Sequence, residues 1–179
     1  MSPAGHLVLF LHAHLPFVRH PEDENFLEET WLYEAITETY LPLLLVAERW
    51  QRDGIPARLT LSMTPTLVDM LRDELLIRRY CRYLHQLVEL ADSEARRLAD
   101  DERFSFTARM YRDLLVESLD RFEHRYGQDI VGAFKVLQDA GLLEIVTSAA
   151  THAYLPAFDL THARSQIRTG VSDKPKMAY

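Results

Sequence analysis

The chain has 179 residues, of which 47% are apolar and 26% are charged. At about 150 residues per domain, this length allows one domain, or one domain and part of a second. The composition is that of a globular protein with a sizeable core, and it excludes disordered, collagen-like and low-complexity chains. Acidic residues outnumber basic ones by 27 to 20, and no run of Lys or Arg exceeds two residues. We therefore expect no nucleic-acid partner.

Neither a disulfide nor a targeting segment is expected. Cys81 is the only cysteine, so nothing indicates an oxidising compartment. The apolar start His6–Leu11 lacks a basic flank and is too short for a signal peptide. No stretch approaches the ~18 apolar residues that a membrane span needs. We expect a cytoplasmic protein with no membrane partner.

The first part of the chain predicts a strand followed by a helix. Leu7–Leu11 is short and continuously apolar, which is typical of a strand buried on both faces of a parallel sheet. Pro16 ends this strand in a loop. From Trp31 to Trp50, apolar residues recur at three- and four-residue steps, which predicts an amphipathic helix. Gly54 then stands where a helix C-terminus places a glycine.

Two more strands alternate with helices in the rest of the chain. Thr64 and Pro65 have the residue types of a helix N-cap and of the first helical position, and Gly141 follows a helix as a C-terminal glycine does. The predicted elements are a strand at Arg58–Met63, mostly helix over Pro65–Ala140, a strand at Leu142–Thr147 and a helix at Thr161–Thr169. This alternation predicts the α/β class with a parallel sheet. Three strands are fewer than the seven or eight that a closed (β/α) barrel needs.

Polar side chains collect where the predicted strands end, which is where α/β proteins place their functional groups. His12 and His14 follow the first strand, and because they are two residues apart they face the same side. His152 follows the third strand. Such a histidine pair suits either one metal ion or the hydroxyl groups of a sugar. The other polar candidates at the strand ends are Ser62, Thr64, Thr147, Ser148 and Thr151.

The residues of the neighbouring loops are compatible with either ligand, a metal ion or a sugar. A zinc site needs a third ligand and an acidic partner for its histidines. The nearby acids all lie in loops rather than at strand ends, and they are Glu22, Asp23, Glu24 and Asp159. Aromatic rings in the same loops suit carbohydrate, and these are Phe17, Phe26, Trp31, Tyr33 and Tyr154. His20, His85, His124 and His162 are expected to be structural or exposed, and Cys81 to be inert.

Four segments carry a family resemblance. They are Phe10–Phe17, with its His-Ala-His-Leu-Pro core, then Trp31–Leu44, Thr60–Leu67 and Gly141–Pro156. In this order they resemble glycoside hydrolase family 57, and within it most closely the 1,4-α-glucan branching enzymes. The similarity extends from about His6 to Gly170, which is nearly the whole chain.

The resemblance implies the N-terminal part of a (β/α)7 barrel with a helical insertion after the second strand. This partial catalytic barrel would occupy residues 1–170, and an atypical tail over 171–179 holds two of the three lysines. The implied reaction is retaining cleavage of α-1,4 bonds and transfer to a sugar 6-hydroxyl, with α-glucan as the partner and no metal or cofactor. Matching positions assign His12, His14 and His152 to substrate binding, with Trp31 as a weaker candidate.

The same resemblance requires two carboxylates, a nucleophile and an acid/base, and we find neither in this chain. Glu144 lies inside the third predicted strand and is the last glutamate, and only Asp159 and Asp173 follow among the aspartates. We therefore assign no catalytic residue and expect the chain alone to be inactive. Two alternatives stay open: a metal-dependent hydrolase or deacetylase using His12 and His14, and a non-catalytic glucan-binding module. An uncovered sheet edge would also favour self-association.

Overall fold

The structure, a computed structural model, describes Gly5 and residues 7–172. Within these residues the strands are β1 (Phe10–Ala13), β2 (Leu59–Met63) and β3 (Leu143–Val146). The α-helices are α1 (Glu29–Ala35), α2 (Leu41–Arg52), α3 (Pro65–Arg72), α4 (Glu74–Arg97), α5 (Ser105–Asp120), α6 (Ile130–Asp139) and α7 (Leu160–Ser172). Short π-helical segments cover Ile36–Tyr40 and Arg121–Arg125, and a 3-10 turn covers Leu155–Ala157.

These elements form two compact units. The first unit holds the chain up to Phe17, Leu44–Leu71 and the chain from Val131 onward, and the second holds Val18–Leu43 and Arg72–Ile130. All three strands therefore belong to the first unit, whereas α1, α4 and α5 belong to the second.

The first unit is built on a parallel sheet, as the sequence predicts. β2 lies between β1 and β3, and the register pairs His12 with Ser62 and Ser62 with Val146. Because all three strands run the same way, their C-terminal ends lie at one edge of the sheet. The core of this unit comes from β2, α3 and α6, and its almost fully buried side chains include Leu61, Met63, Leu67, Phe134 and Leu137.

The first strand differs from its prediction in position and in burial. β1 begins at Phe10 and ends at Ala13, whereas the sequence predicts a strand at Leu7–Leu11. Leu9, Phe10 and Leu11 are 49%, 59% and 41% exposed, so the expectation of a strand buried on both faces is wrong for the described residues. The reason is that β1 is an outer strand that pairs with β2 alone in the described sheet, and no described element covers its apolar side chains.

The helix ends follow the capping residues. Thr64 caps α3, because its Oγ1 accepts a hydrogen bond of 3.3 Å from the amide of Leu67. Gly54 and Gly141 have φ angles of 65° and 75°, in the left-handed region that glycine adopts after a helix. These predictions are confirmed. Asp159 adds an N-cap that the sequence analysis did not assign: its Oδ1 accepts from two amides at the start of α7, which begins one residue earlier than predicted.

The second unit is helical, and its core combines aliphatic and aromatic side chains. α1 begins at Glu29, two residues before the predicted start at Trp31. α4 starts where Asp73 accepts hydrogen bonds from the amides of the next turn. Tyr80 and Phe122 are both almost fully buried and meet edge to face, with ring centroids 4.7 Å apart.

No helix in the described part of the chain is long and apolar enough to cross a membrane. Of the tail predicted over 171–179, the first two residues complete α7, and residues 173–179 lie outside the described residues.

Candidate functional site

Three histidine rings lie together at the C-terminal edge of the sheet. His12 belongs to β1, His14 follows that strand, and His152 lies on the loop after β3. The rings of His14 and His152 stack with centroids 3.9 Å apart and an interplanar angle of 18°. Nε2 of His12 lies 2.9 Å from Nε2 of His152, so one of these nitrogens donates a proton and the other accepts it. The structure thus brings together the histidines that the sequence singles out.

Hydroxyl groups at the end of β2 orient two of these rings. Nδ1 of His12 shares a hydrogen bond of 3.2 Å with Oγ of Ser62, and Nδ1 of His14 shares one of 3.1 Å with Oγ1 of Thr64. Ser62 and Thr64 are almost fully buried, which fixes their positions. Both ring nitrogens of His12 are therefore engaged. Nε2 of His14 and Nδ1 of His152 have no hydrogen-bond partner among the described residues, and a ligand can use them.

Helix α7 holds the loop that carries His152. The amide of Ala150 donates to the carbonyl oxygen of Gln166 at 3.1 Å, and the amide of Thr151 donates to Oε1 of the same glutamine at 3.0 Å. These bonds steady a loop in which His152 has a left-handed φ of 55°, a conformation that needs support from its surroundings. Sequence reasoning missed Gln166 and also Gly170, whose backbone lies against this loop. Gly170 directly follows the predicted helix Thr161–Thr169, where a glycine indicates a helix end, so its residue type did not reveal this contact.

The surroundings of His14 favour its neutral form. Burial lowers the pKa of His14 below the usual histidine value of 6.5, and positive charge on His152 or His12 lowers it further. The imidazole of His14 therefore stays neutral near pH 7. A neutral ring offers one N–H donor and one acceptor nitrogen, which matches a sugar hydroxyl, since a hydroxyl both donates and accepts.

The other singled-out residues lie elsewhere. Trp31 is in the second unit, on α1, and is 46% exposed; its part in substrate binding stays a prediction. Burial raises the pKa of the Cys81 thiol to about 11, so this cysteine stays protonated and unreactive, as expected. The other four histidines among the described residues have side-chain partners: His20 stacks on Phe26, and His85, His124 and His162 lie against the carboxylates of Glu123, Asp120 and Asp159.

The acidic residues do not gather at the histidines. Among the described residues, no group of three or more His, Cys, Asp or Glu side chains is placed to hold a metal ion. Asp159 caps α7 instead, and Glu144 accepts a hydrogen bond of 3.0 Å from Thr60 across the sheet. The geometry therefore gives no support to a metal-dependent hydrolase that uses His12 and His14.

Comparisons with known proteins agree on one protein family. The model of glycosyl hydrolase family 57 matches residues 8–173. A curated 1,4-alpha-glucan branching enzyme of Thermococcus kodakarensis is 35% identical over 174 residues, which are 96% of this chain and 25% of that protein. A probable 1,4-alpha-glucan branching enzyme of Mycobacterium tuberculosis is 26% identical over 181 residues and covers 94% of this chain.

Solved structures agree with the sequence matches. The alpha-amylase AmyC of Thermotoga maritima is 42% identical with a TM-score of 0.84, over 96% of this chain and 33% of its own. A GH57-type branching enzyme of Pyrococcus horikoshii is 31% identical with a TM-score of 0.89, over 97% of this chain and 32% of its own. The chain thus spans 25% of the Thermococcus enzyme and about a third of each solved chain.

Proposed function

The chain belongs to glycosyl hydrolase family 57, and from this premise we propose that it supplies the sugar-binding wall of a barrel active on α-glucan. In this proposal β1, β2 and β3 are the first three strands of a (β/α)7 barrel, and the helices between β2 and β3 include the insertion. The site forms at the C-terminal ends of the strands, where barrels carry their active sites. We also propose a cytoplasmic location, which the low cysteine content favours.

The observation that carries the proposal is the stacked histidine cluster. The rings of His12, His14 and His152 lie together at one sheet edge, and the hydroxyl groups of Ser62 and Thr64 orient two of them. The open nitrogens, Nε2 of His14 and Nδ1 of His152, can each bond one sugar hydroxyl. Neutral groups suit this ligand because a charged group would lose its hydration on binding, and an uncharged sugar has no opposite charge to compensate that cost. The cluster positions a glucosyl unit and does not itself break its bond.

In this proposal, bond cleavage needs two carboxyl groups in addition to the histidines. Retaining transfer uses a nucleophile and an acid/base whose carboxyl groups lie about 5–5.5 Å apart. Within the described residues, the two acids considered for such a role are engaged elsewhere, Glu144 with Thr60 and Asp159 with the start of α7. We therefore propose that this chain binds α-glucan, and that cleavage and transfer require the assembled barrel.

The reaction of the assembled barrel is, in our proposal, transfer of a cleaved glucan segment to a 6-hydroxyl. Relatives named as branching enzymes support it, both a curated protein and a solved structure. Hydrolysis is the second candidate, since the solved alpha-amylase AmyC shares 42% of its matched residues with this chain. The two reactions differ only in the acceptor, which is a sugar hydroxyl in one and water in the other.

Calorimetric titration with maltoheptaose tests the binding step. We expect saturable binding that becomes about five- to tenfold weaker in His14→Ala, because one hydrogen bond of about 1 kcal/mol is lost. His124→Ala is the matched control, since this histidine is exposed and pairs only with Asp120 among the described contacts. Equal affinities for both variants and the unaltered protein would contradict the assignment of the cluster.

Incubation with amylose tests the reaction step. The chain alone should give no new α-1,6 linkages above a heat-treated control when the products are debranched and their chain lengths measured. Joined to the downstream part of a family member, it should give such linkages, and His12→Ala in that fusion should remove them. New reducing ends without branches would favour hydrolysis instead.

A further inference from the structure

The second unit contains a cavity of about 480 Å³ that shares no residue with the histidine cluster. It lies between the loop that precedes α1, the first turns of α1, and one face of α4. Its volume falls in the ~300–1,000 Å³ range of small-molecule sites. The family resemblance assigns no substrate-binding role to any of the residues that line it.

The floor of the cavity is a closed polar network. Arg79 donates to Oε1 of Glu29 at 2.6 Å, and the hydroxyl of Tyr33 donates to Oε2 at 2.7 Å. The backbone amide of His20 adds a third bond to the same carboxylate at 3.0 Å. Glu29, Tyr33 and Arg79 are all almost fully buried. Because the buried carboxylate and guanidinium are paired with each other, this floor presents no net charge to a ligand.

The walls combine aromatic faces with planar hydrogen-bonding groups. Tyr83 lies beside Tyr33, with ring centroids 5.3 Å apart, and its ring lines the cavity together with Phe26. Arg82 and Gln86 are four residues apart on α4 and therefore project from the same face. Both side chains are exposed and line the cavity, and neither makes an ion pair or hydrogen bond within the described part of the chain. They are free to bond a ligand.

The lining favours a neutral ligand rich in hydroxyl groups. Two acidic side chains, Glu24 and Glu29, and two basic ones, Arg79 and Arg82, line the cavity. Their charges cancel, so the lining favours neither an anion nor a cation. Polar and apolar surface are mixed, as expected where sugar rings stack on aromatic side chains and their hydroxyls meet amide and guanidinium groups.

We infer that this cavity is a second carbohydrate site, separate in its residues from the histidine cluster, which binds a short neutral oligosaccharide against Tyr83. Arg82 and Gln86 bond the hydroxyl groups, and the Glu29–Arg79 floor fixes the shape. That the oligosaccharide is an α-1,4-glucan rests on the proposed function. Two sites on one chain would let it hold two parts of a glucan, or two glucan chains, at once.

The test is NMR titration of the isotope-labelled full chain with maltotriose, following the amides around positions 12, 14 and 152 and those of α4. We expect saturable shifts at Arg82, Tyr83 and Gln86 that His14→Ala leaves in place. Tyr83→Ala should weaken the α4 response about tenfold, as loss of a central aromatic contact does. Gln86→Ala, an exposed substitution, gives the same readout if the tyrosine variant fails to fold. Arg78→Ala is the control, because Arg78 lies on the same helix but pairs with Glu74.

The outcomes separate the two proposals. Shifts at the histidines without shifts on α4 overturn this inference and leave the proposed function standing. Shifts on α4 without shifts at the histidines overturn the proposed role of the histidine cluster and support this inference. A response of α4 to sodium phosphate but not to maltotriose overturns the carbohydrate assignment, and an equal response to cellotriose supports a carbohydrate site while removing the α-glucan preference.

Discussion

Gly170 and Ser148 lie in backbone contact, where helix α7 crosses the loop after β3. A Cβ atom at position 170 would overlap the carbonyl oxygen of Ser148 and would lie 3.3 Å from the amide nitrogen of Ala150. The carbonyl oxygen of Gly170 also accepts a hydrogen bond of 3.0 Å from Thr147. Since the same loop carries His152, this close approach sets where that histidine stands relative to the other two.

Gly170→Ala should therefore impair both stability and binding. The added methyl group meets backbone rather than a flexible side chain, so α7 or the loop must move, at a cost of about 1–3 kcal/mol. Chemical denaturation should show this loss, and titration with maltoheptaose should show weaker binding as His152 is displaced. Thr169→Ala, at the exposed neighbouring position, is the control and should change neither. An unaltered midpoint in Gly170→Ala would refute the close approach.

Acid should weaken the fold through His14. Its pKa is lowered in the folded protein by burial and by His152 and His12, while in the unfolded chain it returns to the ordinary value of 6.5. The unfolded chain therefore takes up the proton first. The stabilising contribution is present above that value and is lost as the pH falls through the lower folded value.

Denaturant midpoints measured from pH 8 to pH 5 test this dependence. The groups that face His14 are His12, His152 and Thr64, and none carries a negative charge that would favour the protonated ring. We expect the free energy of unfolding to fall with pH in the unaltered protein and to fall less steeply in His14→Gln. Parallel pH profiles for the two proteins would contradict this explanation.

Removing Arg79 should destabilise the second unit strongly. Glu29 and Arg79 are 1% and 7% exposed, and their ion pair measures 2.6 Å. Arg79→Met leaves a buried carboxylate without its partner, which costs about 3–5 kcal/mol. Arg78→Ala breaks only an exposed pair of 3.7 Å with Glu74, and its cost should stay below ~1 kcal/mol. Similar denaturation midpoints for the two variants would show that the buried pair does not stabilise the unit.

Local signals in the sequence predict most elements, and long-range contacts decide the rest. The caps at Thr64 and Gly141 work through neighbours a few residues away, so residue type alone reveals them. The histidine cluster follows from strand direction, which places the ends of β1 and β3 at one edge. In contrast, the hydrogen bond from the amide of Thr151 to Gln166 joins a loop to helix α7, 15 residues further along the chain. The exposure of Leu9 depends on which strands pair. An apolar run predicts that a strand can be buried, but it does not show whether another element covers that strand.

The uncovered strand β1 should cause the protein to self-associate. Leu9 and Leu11 are 49% and 41% exposed, and β1 pairs on one side only within the described sheet. A free edge flanked by apolar side chains favours pairing with another chain. Sedimentation velocity should therefore show oligomers whose fraction rises with protein concentration.

Leu9→Lys should shift this distribution toward monomer, because a charge directly before an edge strand opposes pairing along that edge. Phe106→Lys is the matched control: this residue is 72% exposed but lies on α5 in the second unit, so its substitution should leave the distribution unchanged. A single monomer peak at every concentration would refute association. If Phe106→Lys dispersed the oligomers and Leu9→Lys did not, the contact would lie on the helical unit, and β1 would not be the surface through which the chains meet.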